Sequence, residues 1–191
     1  SKRIKDKNIY SINGHPLMAY SIISALDSKC FDDVYLVTDD KKYSEIGKTY
    51  GAKIPFLRPK NISNSKSPDF EWVKFTLDFL RKKNKKYDIF SIIRPTNPLR
   101  SANYIQKAFD KFYKNKKIDS LRAVSLCKEH PGKMWKIDNG ILIPLIKGTI
   151  KKVPYHSSQY AALPKIYTQN ASLEIAWVES FYKTRSIAGK V

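Results

Sequence analysis

Cysteine is scarce. Cys30 and Cys127 are the two in 191 residues, and they stand far apart without any metal-ligand spacing. They found neither a disulfide framework nor a zinc site, and we expect reduced thiols in a cytoplasmic protein. Long hydrophobic runs are lacking too. The longest, residues 141–146, is interrupted in character by Pro144 and falls far short of the ~20 residues of a membrane span, so no membrane partner is expected. No secretory signal is seen. The chain opens Ser1-Lys2-Arg3-Ile4-Lys5 without an initiator methionine, from which we expect upstream residues to be absent. Acidic residues are few, 17 against 36 basic, for a net charge of +19. The cations are 29 Lys and 7 Arg spread along the chain, a compositional habit rather than a basic stripe. The runs at 81–86 and 111–117 sit at expected helix C-termini, where cations complement the dipole. No internal repeat, nucleic-acid module or aromatic-interleaved basic face accompanies them, and no nucleic-acid partner is expected.

What is present suits one soluble α/β domain. At 42% hydrophobic and 13% aromatic residues, a chain of this length buries about 70% of its unfolded surface without staples. Met18, Ile22, Ala25 and Leu26 recur at helical spacing after the turn Asn13-Gly14-His15-Pro16, predicting a helix over 15–29. Residues 34–37 read as a strand ended by Thr38-Asp39-Asp40, residues 43–50 as a helix closed by Gly51, and 53–57 as another strand. A polar loop over 58–68, a helix over 69–83 and the apolar strand 89–93 follow. Beyond a loop at 94–101 come a helix to 115, a strand at 120–126, and a β-rich excursion over about 128–165. Strands without polar alternation imply a sheet covered on both faces.

Open α/β sheets bind ligands beyond the carboxyl ends of their strands, so the loops there carry the chemistry. The opening segment, Ser1 through Asn8, packs four cations and an Asn into eight residues; it can cradle a polyphosphate, although a frayed basic terminus would read the same. Asp39 and Asp40 can meet a ribose hydroxyl or a metal, or simply cap the next helix. Leu57-Arg58-Pro59 and the turn Arg94-Pro95-Thr96-Asn97-Pro98-Leu99-Arg100 complete the set; paired prolines hold a loop still beside a ligand, and also make ordinary tight turns.

Together these loops resemble the acylneuraminate cytidylyltransferases, which make CMP-activated sialic acids. Ser1-Lys2 through Lys7-Asn8 looks like the second half of the family's Arg-x-Gly-Ser-Lys opening. Gly14-His15-Pro16-Leu17 with Ala19-Tyr20-Ser21-Ile22 is similar to its Gly-x-Pro-Leu-x-Ala-Tyr-x-Ile. Phe31-Asp32-Asp33-Val34 to Asp39, Tyr50-Gly51-Ala52 to Pro59, and Pro95-Thr96 to Arg100 follow in family order.

The resemblance implies a nucleotide-diphospho-sugar transferase-like (GT-A-like) three-layer α/β/α sandwich, a single cytidylyltransferase domain over 1–191 with a small β-rich dimerisation excursion at 128–165. It implies transfer of CMP from CTP to a nine-carbon keto-sugar acid with release of pyrophosphate and Mg²⁺ as cofactor, in a homodimer serving a cell-surface glycan. By the family pattern Lys2 is catalytic at the α-phosphate. Arg3 and Lys7 face the outer phosphates, and Asn8, Arg58, Ser67, Asp69, Thr96 and Arg100 shape the nucleotide pocket. Arg94, Gln159 and Asn170 are the sugar contacts. Apart from the family pattern, the loop itself offers Asp39 as a metal ligand within the chain. Three departures stand out. Arg94 replaces the family's common Gln, recasting that sugar contact as an ion pair with a carboxylate or losing it. Ala171 replaces a Gly after Asn170, which matters if the backbone there needs a positive φ. The family's Asp-x-Asp metal segment is expected beyond Val191, in a chain that looks like a member lacking both ends. A transferase using another base or sugar acid, and a non-catalytic nucleotide-binding relative, are the alternatives.

Overall fold

The computed structural model describes residues 4–64 and 67–190. In chain order the strands are β1 (Ser11–Ile12), β2 (His15–Pro16), β3 (Ile89–Ile93), β4 (Ser120–Leu126), β5 (Trp135–Asp138), β6 (Ile141–Pro144), β7 (Thr149–Ile150), β8 (Val153–Pro154) and β9 (Tyr167–Trp177). The α-helices are α1 (Leu17–Asp27), α2 (Lys41–Thr49), α3 (Asp69–Lys82), α4 (Ala102–Lys114) and α5 (Val178–Thr184). They form two compact units, one of Ser1–Ala123 with Ala171–Val191 and one of Val124–Asn170. Residues 128–165, where a β-rich excursion was expected, lie within the second unit.

The first unit is built on a sheet of order β3-β9-β4. β3 pairs antiparallel with β9, from Ile89 opposite Trp177 to Ile93 opposite Leu173. Phe90 and Ile92 on one face of β3 pack with Val73 of α3 and Phe181 of α5. Ile89 and Ile93 on the other face pack with Phe109 and Phe112 of α4. Helices therefore cover both faces, giving the expected three layers. The helix ends follow their sequence signals. Asp69 and Glu71 open α3 and Arg81 and Lys82 close it, charges of the right sign for the helix dipole, and the Ser101 side chain caps α4 by accepting from the Tyr104 N–H at 3.2 Å.

Two expectations are corrected. Residues 34–37 and 53–57 make no continuous ladder; two isolated parallel bridges join them, Tyr35 to Lys53 and Thr38 to Leu57. Pro55 has no N–H to donate between them, and the register slips by one residue across it. The second correction is β9 itself, the central strand, which the sequence reading left unassigned together with α5.

The second unit is a set of hairpins. β5 pairs with β6 across Asn139-Gly140 (φ 48° and 81°), the residues a type I′ turn demands. β7 pairs with β8 across Lys151 and Lys152, which adopt φ of 49° and 69° without the side chains that suit that region. His130 is buried. Its Nδ1 accepts from the Gly132 N–H at 2.9 Å, so Nε2 carries the proton and donates to the Pro164 carbonyl at 3.0 Å.

At the amino end of the 34–38 segment, the Asp33 carboxylate is 8% exposed and accepts from Lys53, Lys85, Tyr87 and Tyr35. Burial pushes its pKa up, but the Lys53 bond and those of Tyr87, Lys85 and Tyr35 outweigh burial and hold it well below the usual carboxylate range. A depressed folded pKa means stability that is full above the unfolded aspartate value and lost as pH falls from there through the folded value. We therefore expect Asp33→Asn to cost about 2 kcal/mol near neutrality and to lessen the loss of stability below about pH 4. Urea titrations of both proteins from pH 3 to 7 check this.

Candidate active site

Thr38 and Ile93 end the two strand segments that flank a cavity of about 730 Å³. Its polar end is formed by Asn8, Thr38, Asp39, Tyr43, Arg58 and Arg94. The adjacent aspartates divide their work here. Asp40 caps α2, accepting from the Lys42 and Tyr43 N–H groups at 2.7 and 3.2 Å, which leaves the Asp39 carboxylate facing Arg58 at 3.7 Å. Arg58 is fixed from behind: its backbone N–H donates to the Thr38 carbonyl at 2.8 Å and its Nε to Ser63 Oγ at 3.0 Å. Its Nη2 is the nitrogen that faces Asp39.

Tyr43 Oη donates to Asp6 at 3.1 Å. Burial first, then the Asp6 bond and the charges of Asp6, Asp40 and Asp39, push this phenol up to about 12, so it keeps its proton and holds the segment before Asn8. Arg94 donates to Asp69 and to Glu174, and the second Glu174 oxygen lies 3.0 Å from Arg122. Burial alone would lower the Arg94 pKa; the Glu174 bond and charge, with Asp69, raise it instead. The carboxylates that Arg94 meets are thus the chain's own. Asp69 also accepts from Trp72 Nε1 at 2.8 Å and serves to orient Arg94.

Arg100 is buried and lies outside the cavity lining. It donates to Ser172 Oγ at 3.2 Å, Ser21 Oγ at 3.4 Å and the Arg94 carbonyl at 2.9 Å. It bears on the pocket from behind, by fixing the Arg94 turn to α1 and β9. Lys7 lies in a short 3-10 turn with Asn8. Thr96 is exposed in the proline turn, and Ser67 Oγ is buried with no hydrogen-bond partner among the described residues. Lys2 and Arg3 lie outside the described residues. Gln159 and Asn170 belong to the second unit, Gln159 lining a cavity of about 630 Å³ there and Asn170 Nδ2 donating to Ser125 Oγ at 3.0 Å. Of the expected residues, then, Asn8, Asp39, Arg58 and Arg94 are gathered at one place. The sequence reading missed Tyr43, Ser63, Arg122 and Glu174. Tyr43 alone had a local signal, three residues after a capping Asp.

Asp39 offers one carboxylate, shared with Arg58, and no group of three His, Cys, Asp or Glu among the described residues could hold a metal. A Mg²⁺ ion takes one or two carboxylates together with substrate oxygens in octahedral geometry; these residues do not by themselves make such a site.

The sequence profile of the cytidylyltransferases matches residues 1–133. The chain belongs to the cytidylyltransferase family. Among its relatives, the pseudaminic acid cytidylyltransferase of Campylobacter jejuni subsp. jejuni serotype O:23/36 (strain 81-176) is 40% identical over 115 residues, covering 60% of this chain and 50% of that protein. The N-acylneuraminate cytidylyltransferase of Escherichia coli O18:K1:H7 (strain RS218 / NMEC) is 34% identical over 108 residues, covering 56% and 25%. The chain spans about half the length of the first of these curated relatives, and less of the other. In fold, it is similar to a CMP:2-keto-3-deoxy-manno-octonic acid synthetase solved with CTP, at a TM-score of 0.65 and 11% identity over 96% of this chain and 73% of that one.

Where the resemblance leads one to expect glycine after Asn170, Ala171 adopts φ 56°, a left-handed conformation that costs a residue with a Cβ about 1 kcal/mol. Ala171→Gly should therefore raise stability by up to about 1 kcal/mol, less the entropy glycine returns to the unfolded chain. Chemical denaturation of the pair measures it, and an unchanged or lower midpoint would show that neighbouring contacts, not the backbone, set this conformation.

Proposed function

We propose that this chain transfers CMP from CTP to a nine-carbon, sialic acid-like keto-sugar acid. The anomeric hydroxyl oxygen of the acid bonds to the α-phosphorus as the α–β phosphoanhydride bond breaks. Pyrophosphate leaves, and the hydroxyl proton passes to a basic group or to solvent. The names of the pseudaminic and N-acylneuraminate relatives support the substrate class. The observation that carries the reading is the meeting of Asn8, Asp39 and a braced Arg58 at the carboxyl ends of two neighbouring strand segments. A guanidinium there contributes a fixed fork for a nucleotide's oxygens, and a half-exposed carboxylate contributes an acceptor for a ribose hydroxyl. Phosphoryl-type transfer is chiefly positioning and charge stabilisation. Lys2, as the family pattern has it, supplies the charge at the α-phosphate. Any Mg²⁺ contribution draws its remaining ligands from the nucleotide and from outside the described residues. The reaction runs in the cytoplasm in this reading, as befits a chain with two unpaired cysteines.

Pyrophosphate release from CTP in the presence of pseudaminic, legionaminic and neuraminic acids tests the activity. Arg58→Ala should raise the CTP concentration required by about tenfold, a loss of ~1.4 kcal/mol of binding. Lys2→Ala should lower turnover by roughly 100-fold with a smaller effect on CTP affinity, because charge that develops only in the transition state is what it meets. Equal, small effects of both changes would remove the opening loop from the mechanism.

The second unit supports a homodimer in the same reading. Both strands of its first hairpin are exposed, with Trp135, Ile137, Ile141 and Leu142 between 43% and 76% accessible, an apolar surface that a second copy would cover. Sedimentation at micromolar concentration should return a dimer, and Ile137→Lys with Leu142→Lys should return a monomer; a monomeric unmodified chain would overturn this part.

A further inference from the structure

The cations are spread along the sequence, yet the fold gathers many of them at one end of the first unit. Val178 N–H donates to the Asp88 carbonyl at 2.8 Å and Trp177 N–H to the Asp119 carbonyl at 3.3 Å, so the residues just ahead of β3 and of β4 meet at the carboxyl end of β9. α3 and α4 lie on opposite faces of the sheet. Each ends a few residues before one of those aspartates and brings its basic run to the same place. Lys85 Nζ reaches Asp33 at 3.1 Å, and Lys116 Nζ lies 3.3 Å from the Tyr113 ring centroid and 4.5 Å from that of Trp177, which holds both links against the end of the sheet. Segments 81–88, 110–119 and 178–180 together carry nine cations and four carboxylates. Lys82, Lys83, Lys86, Lys111, Lys114 and Lys117 are exposed, and among the described residues none of the six forms an ion pair. The Asp119 carboxylate is occupied by Ser180 Oγ and the Lys190 N–H, at 2.7 and 2.8 Å. Helix dipoles account for the cations of each last turn. They do not account for the lysines in the links beyond, where like charges held together repel.

We propose that this basic end of the first unit rests on a bilayer surface that carries anionic lipid headgroups. No described helix is long and apolar enough to cross a bilayer, so the contact is adsorption; the sequence expectation of no membrane partner concerned insertion. The chemistry favours lipid over nucleic acid. Eight of the nine cations are lysines, compact hydrated charges on flexible stems that follow mobile headgroups, whereas nucleic acid is gripped by guanidinium forks and stacked aromatic faces. The one arginine, Arg81, is engaged over the Tyr182 ring at 5.0 Å, and Lys116 covers the Tyr113 face. Because the two clusters arrive from opposite faces of the sheet, the charge is broad in two directions rather than drawn out along a stripe. A planar surface meets both clusters at once. Asp39, Arg58 and Arg94 lie at the carboxyl ends, about 16 Å away along the five residues of β3, so a protein adsorbed by this end keeps the polar end of the cavity turned to solution. The inference goes beyond the proposed function, and its test uses no CTP.

The test is co-sedimentation of the chain with vesicles of phosphatidylglycerol and phosphatidylcholine in equal parts, and with vesicles of phosphatidylcholine alone, at about 0.1 M salt. Binding is expected to the first only, and it should fall steeply as salt rises. Lys83→Gln, Lys86→Gln, Lys114→Gln and Lys117→Gln together should weaken it at least ~10-fold, and Lys82→Gln with Lys111→Gln, a milder change, should weaken it in the same sense. Arginine at the first four positions should bind as the unmodified chain does. Lys147→Gln, Lys151→Gln, Lys152→Gln and Lys165→Gln remove the same charge from the second unit and should leave binding nearly unchanged. Equal losses in the two fourfold variants would assign binding to the net charge of the whole chain and overturn the proposal, as would failure to bind the anionic vesicles. Tighter binding to single-stranded RNA at matched phosphate concentration, lost in the first fourfold variant, would give this end to nucleic acid and overturn it as well.

Discussion

Arg100 carries a charge in a place where charge is expensive. It is 5% exposed, and no carboxylate among the described residues pairs with it; burial lowers its pKa without discharging a guanidinium that begins so high. Only hydrogen bonds offset the lost hydration. Those bonds run to a serine of α1, a serine of β9 and the carbonyl of Arg94, so the desolvation of one side chain is converted into the fixed spacing of a helix, a strand and a turn. Each piece of the polar cluster depends on that spacing. Arg94 can reach Glu174 and Asp69 together because its own carbonyl is held, and Glu174 sits on β9 where Ser172 is held by the same guanidinium.

Around this clamp the ion pairs behave as one unit. Glu174, nearly buried, is shared between Arg94 and Arg122, and Asp69 meets Arg94 from the start of α3. Asp69 also lies at the positive end of that helix, which favours its charge. Removing any one member would strand another in a partly dry environment, where an unmatched charge is more costly than the pair is stabilising.

The sequence was legible where local chemistry and the final structure agree. Asn13-Gly14 announces the turn ahead of α1, and the adjacent Asp39 and Asp40 announce the start of α2. It was opaque where long-range packing decides. β9 begins Tyr167-Thr168-Gln169-Asn170, four exposed residues that read as loop, and becomes the centre of a sheet only because Leu173, Ile175 and Ala176 are buried by helices distant in sequence. Lys151-Lys152 gives no turn signal, yet the hairpin forces both into the left-handed region. For the site, adjacency hid the division between Asp39 and Asp40, because either residue makes a good cap. The partners of Arg94 could not be read at all, since Glu174 lies 80 residues away. The family resemblance supplied which loops matter; the geometry supplied which side chains in them are already spoken for.

The two ends of the strand pair are also chemically distinct in a way that the composition makes possible. The amino end is closed on Asp33 by the amines of Lys53 and Lys85 with the phenols of Tyr35 and Tyr87, whereas the cations that close the carboxyl end on Glu174 and Asp69 are guanidinium groups. An acylating reagent that consumes amines would strip the first of its cations and pass over those of the second. A reaction at lysine would therefore weaken the base of the strand pair while the Arg94 and Arg122 ion pairs kept their charges, and it would consume Lys5 and Lys7 of the opening segment as well.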